Sequence, residues 1–257
     1  MSTILVTGGT GTLGRVLVTR LADAGHKVRV LSRQPRPPSA EPHAWATGDL
    51  RRGQGIAEAV AGADVIIHCA TAARGDDVAA ANLMAAAHRS GAPHLVYISI
   101  VGVDAVPLGY YRTKLKTERL IGESGLPWTL QRTTQFHDLI LLACTALARL
   151  PVMLVPGGTS FQPVDVAEVA ERLAGLAAAP AAGRVPDMAG PQVRSTAELA
   201  RSYLRAAGKR RGLLPVWLPG AAAAGFRRGG HLAPDNAAGR VTFEEFLDRR
   251  LGAGGSG

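Results

Sequence analysis

The chain opens with an apolar run inside "STILVTGG" that stops at paired glycines. A short apolar run closed by glycine reads as a buried strand. The next stretch, "TLGRVLVTRLADAG", sets Leu13, Val16, Leu17 and Leu21 at helical spacing and stops at Gly25. The pattern then alternates. "HKVRVLSR" predicts a second strand, "PRPPSAEP" a proline-rich loop, "GQGIAEAVAGA" a short helix and "DVIIHCAT" a strand. "DDVAAANLMAAAHRSGA" predicts a helix, "HLVYISI" a buried strand, "GYYRTKLKTE" a helix and "PWTLQRT" a strand. Strands alternating with helices at this spacing predict an α/β fold: a Rossmann-like, doubly wound parallel sheet covered on both faces.

From about Phe136 the regularity drops. "LILLACTALARL" is too short to span a bilayer and reads as a buried helix. "VMLVPGG" fits a strand, and "PVDVAEVAERLAGLAAA" and "STAELARSYLRAAG" fit helices. Ser195 and Glu198 have the capping-box spacing; Asp165 and Glu168 have the spacing without the Ser or Thr. "LLPVWLPGAAAAGFRRGGHLAP" mixes apolar residues with Pro and Gly and reads as irregular. The expectation is one domain over 1–257. A small C-terminal substrate cap comes mainly from 136–162 and 186–235, and 252–257 form a disordered tail.

At 257 residues such a chain needs no disulfide or metal staple. Its two cysteines, Cys69 and Cys144, lie far apart, which fits a reducing compartment and excludes a disulfide framework or a Cys-based zinc site. With no leader-like segment, a soluble cytoplasmic protein without membrane contact is expected. The net charge of +9 raises the question of nucleic acid. Only four of the 29 basic residues are lysines, the arginines are scattered apart from "KRRG" at Lys209, and no aromatic-basic interleaving occurs. This argues against nucleic acid. An anionic phosphate cofactor is a sufficient use for part of the charge.

"ILVTGGTGTLGRVLV" carries the strongest motif. Gly9, Gly11 and Gly14 satisfy G-x-G-x-x-G, and Gly8, Gly11 and Gly14 a three-residue spacing. The glycines follow a strand and open a helix, the context in which backbone approaches a pyrophosphate at a helix N-terminus. Later, Tyr110 precedes Lys114 by four residues, so the two share a helix face; Tyr111, at three residues, is the alternative. An ammonium beside a phenol stabilises the phenolate and lowers the phenol's pKa, which suits a proton donor.

These motifs together resemble the short-chain dehydrogenase/reductase superfamily, in particular its atypical NmrA-like branch of NAD(P)-binding proteins. The resemblance runs from Ile4 to "NAAGRVTFEEFLDRRL" and is strongest over residues 4–170. It implies an NADP(H)-dependent reductase of a small, mostly apolar carbonyl or related compound. The chain would act as a monomer or homodimer. The alternatives are a non-catalytic NADP-binding sensor or a sugar-nucleotide epimerase or dehydratase. It assigns Gly8, Thr10, Gly11, Thr12, Leu13 and Gly14 to the cofactor, Asp49 and Leu50 to the adenine, and Cys69 and Ala70, with Thr71 beside them, to the ribose. Asn82 often recurs at its position in the family. An NAD-preferring relative ends its second strand with an acid; "LSRQPR" offers Ser32, Arg33 and Arg36, which would attract a 2′-phosphate, so NADP(H) is expected over NAD(H). Tyr110, Lys114 and Ser99 form the implied catalytic set, although Ser99 lies closer to Tyr110 than in most catalytic members. Lys114 would also bond the nicotinamide ribose. Thr133, with Thr134, would contact the nicotinamide, and Gln135, Phe136 and His137 would begin the substrate wall. Packing is the competing use for these last residues.

Overall fold

The computed structural model describes residues 1–35, 43–72 and 75–252. The elements run β1 (Thr3–Thr7), α1 (Thr12–Asp23), β2 (Lys27–Ser32), β3 (Ala44–Thr47), α2 (Ile56–Val60), β4 (Val65–His68), α3 (Asp76–Arg89), β5 (His94–Ile100), α4 (Gly109–Gly122) and β6 (Trp128–Thr133). Then come α5 (His137–Leu147), β7 (Val152–Pro156), β8 (Ser160–Phe161), α6 (Val166–Ala178), β9 (Gly183–Arg184) and β10 (Arg194–Ser195). α7 (Thr196–Ala206), β11 (Gly212–Val216), α8 (Ala221–Arg227) and α9 (Phe243–Leu251) complete the chain.

Seven strands form a parallel sheet in the order β3-β2-β1-β4-β5-β6-β9. Chain order grows outward on one side from β1 to β3 and on the other from β4. The carboxyl ends of β1 and β4 therefore flank the switch point, where a crevice opens in such sheets. The edge strand β3, "AWAT", has no counterpart among the elements expected from the sequence. It is short and only half-buried, so it lacks the apolar run that marks the inner strands.

The chain forms two compact units. The first comprises Met1–Ser99, Gly109–Arg132 and Ala167–Pro186, and the second Ile100–Leu108, Thr133–Val166 and Asp187–Gly257. In the first unit, Leu5, Ile66, Leu95, Tyr97 and Leu130 from the sheet pack against Ile56 of α2, Leu83 of α3 and Ile121 of α4. Two buried polar groups sit beside this core. Arg132 on β6 donates to both carboxylate oxygens of Glu118 on α4, at 2.9 and 2.6 Å. His68, at the end of β4, stacks on Tyr97 with ring centroids 5.4 Å apart, and its Nδ1 meets the Thr7 hydroxyl at 2.7 Å.

In the second unit, Ile140 and Cys144 of α5, Met153 and Val155 of β7, Leu199 and Tyr203 of α7 and Phe243 and Phe246 of α9 make the core. β7 pairs in parallel with β11. The stretches expected to build a cap, 136–162 and 186–235, fall in this unit, the second of them from residue 187 on. The apolar segment at Leu139 is not a buried helix: Leu139 and Leu142 of α5 are 52 % and 67 % exposed. Its composition hides a one-sided helix that turns only part of its surface to the core. The "LLPV" stretch forms β11 and "AAAAGFR" forms α8, where no regular element was expected. α7 carries the expected capping box, with Ser195 accepting from the Glu198 N–H and Glu198 accepting in return.

The buried groups of the first unit make two measurable contributions to stability. Glu118→Leu takes the bidentate carboxylate from the buried Arg132 and should cost about 3–5 kcal/mol in urea unfolding, whereas adding Arg132→Met should recover part of that loss. Burial pushes the His68 pKa down from 6.5 to about 3, with the Lys114 charge adding to the effect. The unfolded chain thus binds a proton that the fold refuses. Stability from this group is full above pH 6.5 and falls as the pH drops from there toward about 3. Thermal melts at stepped pH should show a decline approaching roughly 1.4 kcal/mol for each pH unit within that window. The decline should be flatter in His68→Gln.

Candidate functional site

The first unit contains a cleft of 710 Å³ at the carboxyl ends of its strands. Gly8, Thr10 and Gly11 line it between β1 and α1, and Ser32, Arg33 and Gln34 after β2. Asp49, Leu50 and Arg51 line it after β3, and Cys69, Ala70, Thr71, Ala72 and Asp76 after β4. Separate stretches of sequence thus converge because parallel strands deliver their carboxyl ends to one edge.

The turn at Gly8–Gly14 fits a dinucleotide pyrophosphate. Gly11 N–H donates to the Gly8 carbonyl at 3.0 Å, which closes the turn. Gly8 lies in the left-handed region at φ +71°, and a Cβ there would come within 2.6 Å of the Ala70 nitrogen. A Cβ on Gly14 would collide with the Gly8 carbonyl oxygen. Backbone therefore packs on backbone, and α1 begins directly at the cleft. Gly11, its N-cap, supplies no capping side chain, and the first turn holds no acid. The positive helix end and its N–H groups are left for an anion.

After β2, Arg33 is exposed on the cleft wall, and the Ser32 Oγ accepts from the Gln34 N–H at 3.1 Å. Arg36 lies outside the described residues. The Asp49 carboxylate shapes its own turn, accepting from the N–H groups of Arg51 (2.8 Å) and Arg52 (3.2 Å). The Arg52 N–H leads in holding this carboxyl below its ordinary pKa, with help from the Arg51 N–H and the charges of Arg52 and Arg33. Asn82 on α3 donates to the carbonyls of Leu50 (2.8 Å) and Arg51 (3.3 Å) and so pins the same loop. Burial pushes the Cys69 thiol up to about 12.

The two tyrosines part company. Tyr111 is 5 % exposed within the fold. Tyr110 reaches the cleft residue Thr71, hydroxyl to hydroxyl, at 2.7 Å. Lys114 is buried, and its ammonium lies 4.9 Å from the centre of the Tyr97 ring. A residue to which the sequence drew no attention holds it: the Asp76 carboxylate, 3.5 Å away, with both side chains 4 % exposed. Asp76 also accepts from the Thr71 hydroxyl (2.7 Å) and the Ala72 N–H (2.6 Å). Lys114 stands 6.0 Å from the Tyr110 ring centre.

The phenol's pKa therefore moves opposite to expectation. Burial raises it above 10, the Thr71 contact lowers it, and the Asp76 charge raises it further. The Lys114 pKa is lowered by burial, against the pull of Asp76. Ser99 is 1 % exposed and its Oγ has no hydrogen-bond partner among the described residues; strand alternation sets it on the same face of β5 as Tyr97.

The remaining implied residues belong to the second unit. Thr133 is buried, its carbonyl accepting from the Val101 N–H at 2.9 Å. Thr134 N–H donates to the Met188 carbonyl at 3.1 Å, and the Gln135 carbonyl accepts from the Val164 N–H at 2.9 Å. Phe136 is the N-cap residue of α5. His137 is not a wall residue of the described cleft. It is 1 % exposed, stacked on Phe243 and Phe246 at 5.7 and 5.2 Å, with Nε2 3.0 Å from the Val241 carbonyl. The helix that packs it, α9, was not expected from "TFEEFLDRR", although Thr242 and Glu245 form a capping box there. No group of three metal-ligating side chains and no helix long and apolar enough to cross a membrane occurs among the described residues.

Among known proteins, the chain is 47 % identical over 68 residues to a 3-beta-hydroxysteroid dehydrogenase of Mycolicibacterium neoaurum, 26 % of this chain and 19 % of that protein. It is 32 % identical over 214 residues to the (4-alkanoyl-5-oxo-2,5-dihydrofuran-3-yl)methyl phosphate reductase of Streptomyces griseus, 77 % of this chain and 73 % of that one. In fold it is similar to an NADPH-dependent quinone oxidoreductase of Escherichia coli solved with NADPH, at a TM-score of 0.83 and 20 % identity over 96 % of this chain and 99 % of that one. The family model described as NAD(P)H-binding matches residues 8–178, the span that holds both the glycine cradle and the Tyr110–Lys114 helix, and the chain belongs to that NAD(P)H-binding family.

Proposed function

We propose that the protein is an NADP(H)-dependent reductase of a small, mostly apolar carbonyl or related compound. The observation that carries this reading is the meeting of two features at one cleft. A glycine cradle for a pyrophosphate lies at one part of its lining, and Thr71 and Asp76, which bind Tyr110 and Lys114, at another. The Streptomyces relative is a reductase by name, and the Escherichia coli protein of similar fold is an NADPH-dependent oxidoreductase.

When bound, the cofactor would supply a hydride equivalent for the substrate carbon. The residues of this chain handle charge and protons. The α1 N-terminus and the N–H groups of the glycine turn hold the diphosphate. Arg33, with Ser32, takes the 2′-phosphate in charge-assisted bonds, and no carboxylate in "LSRQ" opposes it. Negative charge builds on the substrate oxygen and must meet a proton. Tyr110 gives it from its hydroxyl, which its raised pKa keeps protonated at neutral pH. The unpartnered Ser99 hydroxyl is proposed to polarise the same oxygen.

Two measurements test the reading. Arg33→Ala should raise the KM for NADPH about tenfold or more, the worth of one charge-assisted bond, and leave that for NADH within about twofold. An unaltered NADPH preference would remove Arg33 from the cofactor site. Tyr110→Phe should lower kcat by about 10²-fold or more, while Tyr111→Phe retains most turnover. Tight NADPH binding by the wild type with no turnover of quinones, enones or aldehydes would turn the reading into that of a sensor.

A further inference from the structure

Asp76 lines the cleft, yet its carboxylate is buried at 4 % exposure. Its contacts converge on the proposed reactive centre. Oδ1 accepts from the Ala72 N–H at 2.6 Å. Oδ2 accepts from the Thr71 hydroxyl at 2.7 Å and faces the Lys114 ammonium at 3.5 Å. An ionised carboxylate only accepts. The single proton of Thr71 is thus committed to Asp76, and the 2.7 Å contact between Thr71 and Tyr110 has Tyr110 as donor. A directed chain results: Tyr110 to Thr71, Thr71 to Asp76, Asp76 against Lys114.

We propose that Thr71 and Asp76 are the positioning residues of the reaction and relay the proton that restores Tyr110 after each turnover. This rests on the reductase reading above. When Tyr110 has given its proton to the substrate oxygen, a phenolate remains. Lys114 passes one proton from Nζ to Asp76 Oδ2, the Thr71 hydroxyl turns to take it, and Thr71 releases its own proton to the phenolate. Asp76 and Thr71 end as they began. The net change is one proton moved from the Lys114 ammonium to the Tyr110 oxygen, and Lys114 regains a proton from water when product leaves. Among the described residues Lys114 pairs with Asp76 and the Tyr110 hydroxyl with Thr71, so the two bridging residues complete the path. The other titratable groups around it are His68, Cys69, Tyr97 and Glu118. Burial depresses the Lys114 pKa, which eases the first step.

The test has one arm that needs no activity. In cofactor-free protein carrying 13Cζ-tyrosine, the Tyr110 signal is assigned with Tyr110→Phe and titrated by NMR. Asp76→Asn removes the charge that helps to raise the phenol's pKa, so the Tyr110 midpoint should move to lower pH. A midpoint equal to that of the wild type would overturn the proposal, whether or not any substrate is reduced. Thr71→Val leaves both charges in place and so keeps the test open if Asp76→Asn folds poorly. It should slow kcat at least about tenfold, and Thr71→Ser should restore the rate. A Thr71→Val enzyme with wild-type kcat would also overturn the relay. Failure of the wild type to turn over any carbonyl compound would sink the reductase reading instead, with the NMR arm still readable.

Discussion

An ammonium held at 4 % exposure survives only against a counter-charge, because stripping it of water costs several kcal/mol. The Lys114–Asp76 pair meets that demand and fixes α3 against α4. Around it the two helices are joined again at the surface, where Lys116 meets Asp77 at 2.6 Å with the lysine 65 % exposed. That outer contact contributes little, being open to water. On its inner side α4 is tied to the sheet by Glu118 and Arg132 and lays Lys114 over the Tyr97 ring. Helix α4 is therefore held by charge on two sides, at Lys114 and at Glu118. Its apolar residues alone would allow the helix to slide.

The opposite wall of the cleft obeys a different constraint, that of backbone on backbone. Gly8 against Ala70 and Gly14 against Gly8 bring the β1 and β4 turns closer than any side chain permits. This closeness opens the crevice at the switch point and points α1 into it. Glycine spacing in a sequence records such contacts directly, since only one residue type satisfies them.

That difference decides what could be read in advance. The alternation of apolar strands with helical spacing gave away the inner strands and the helices between them, and the glycines located the cradle. Asp76 gave no such sign. In "GDDVAAAN" it looks like Asp77, one more acid in the first turn of a helix, and only the packing of α4 separates the buried carboxylate from the half-buried one. The local Tyr–Lys spacing suggested a lysine that acts on its tyrosine, but the intervening partner comes from a helix more than thirty residues earlier. His137 shows the complementary case. The resemblance placed it at the start of the substrate wall with packing as the competing use, and the ring that packs on it, Phe246, lies over a hundred residues on. Short edge strands such as β3 and β11 escaped because they bury too little to show a period.

Helix α3 carries both Asp76, at its first turn, and Asn82, which clasps the Leu50–Arg51 loop one and a half turns later. One rigid rod thus spans the part of the cleft assigned to the adenine and the part assigned to proton transfer. The loop that carries Leu50 and the carboxylate that holds Lys114 therefore share one support, and the lining of the cleft is set by the seating of a single helix.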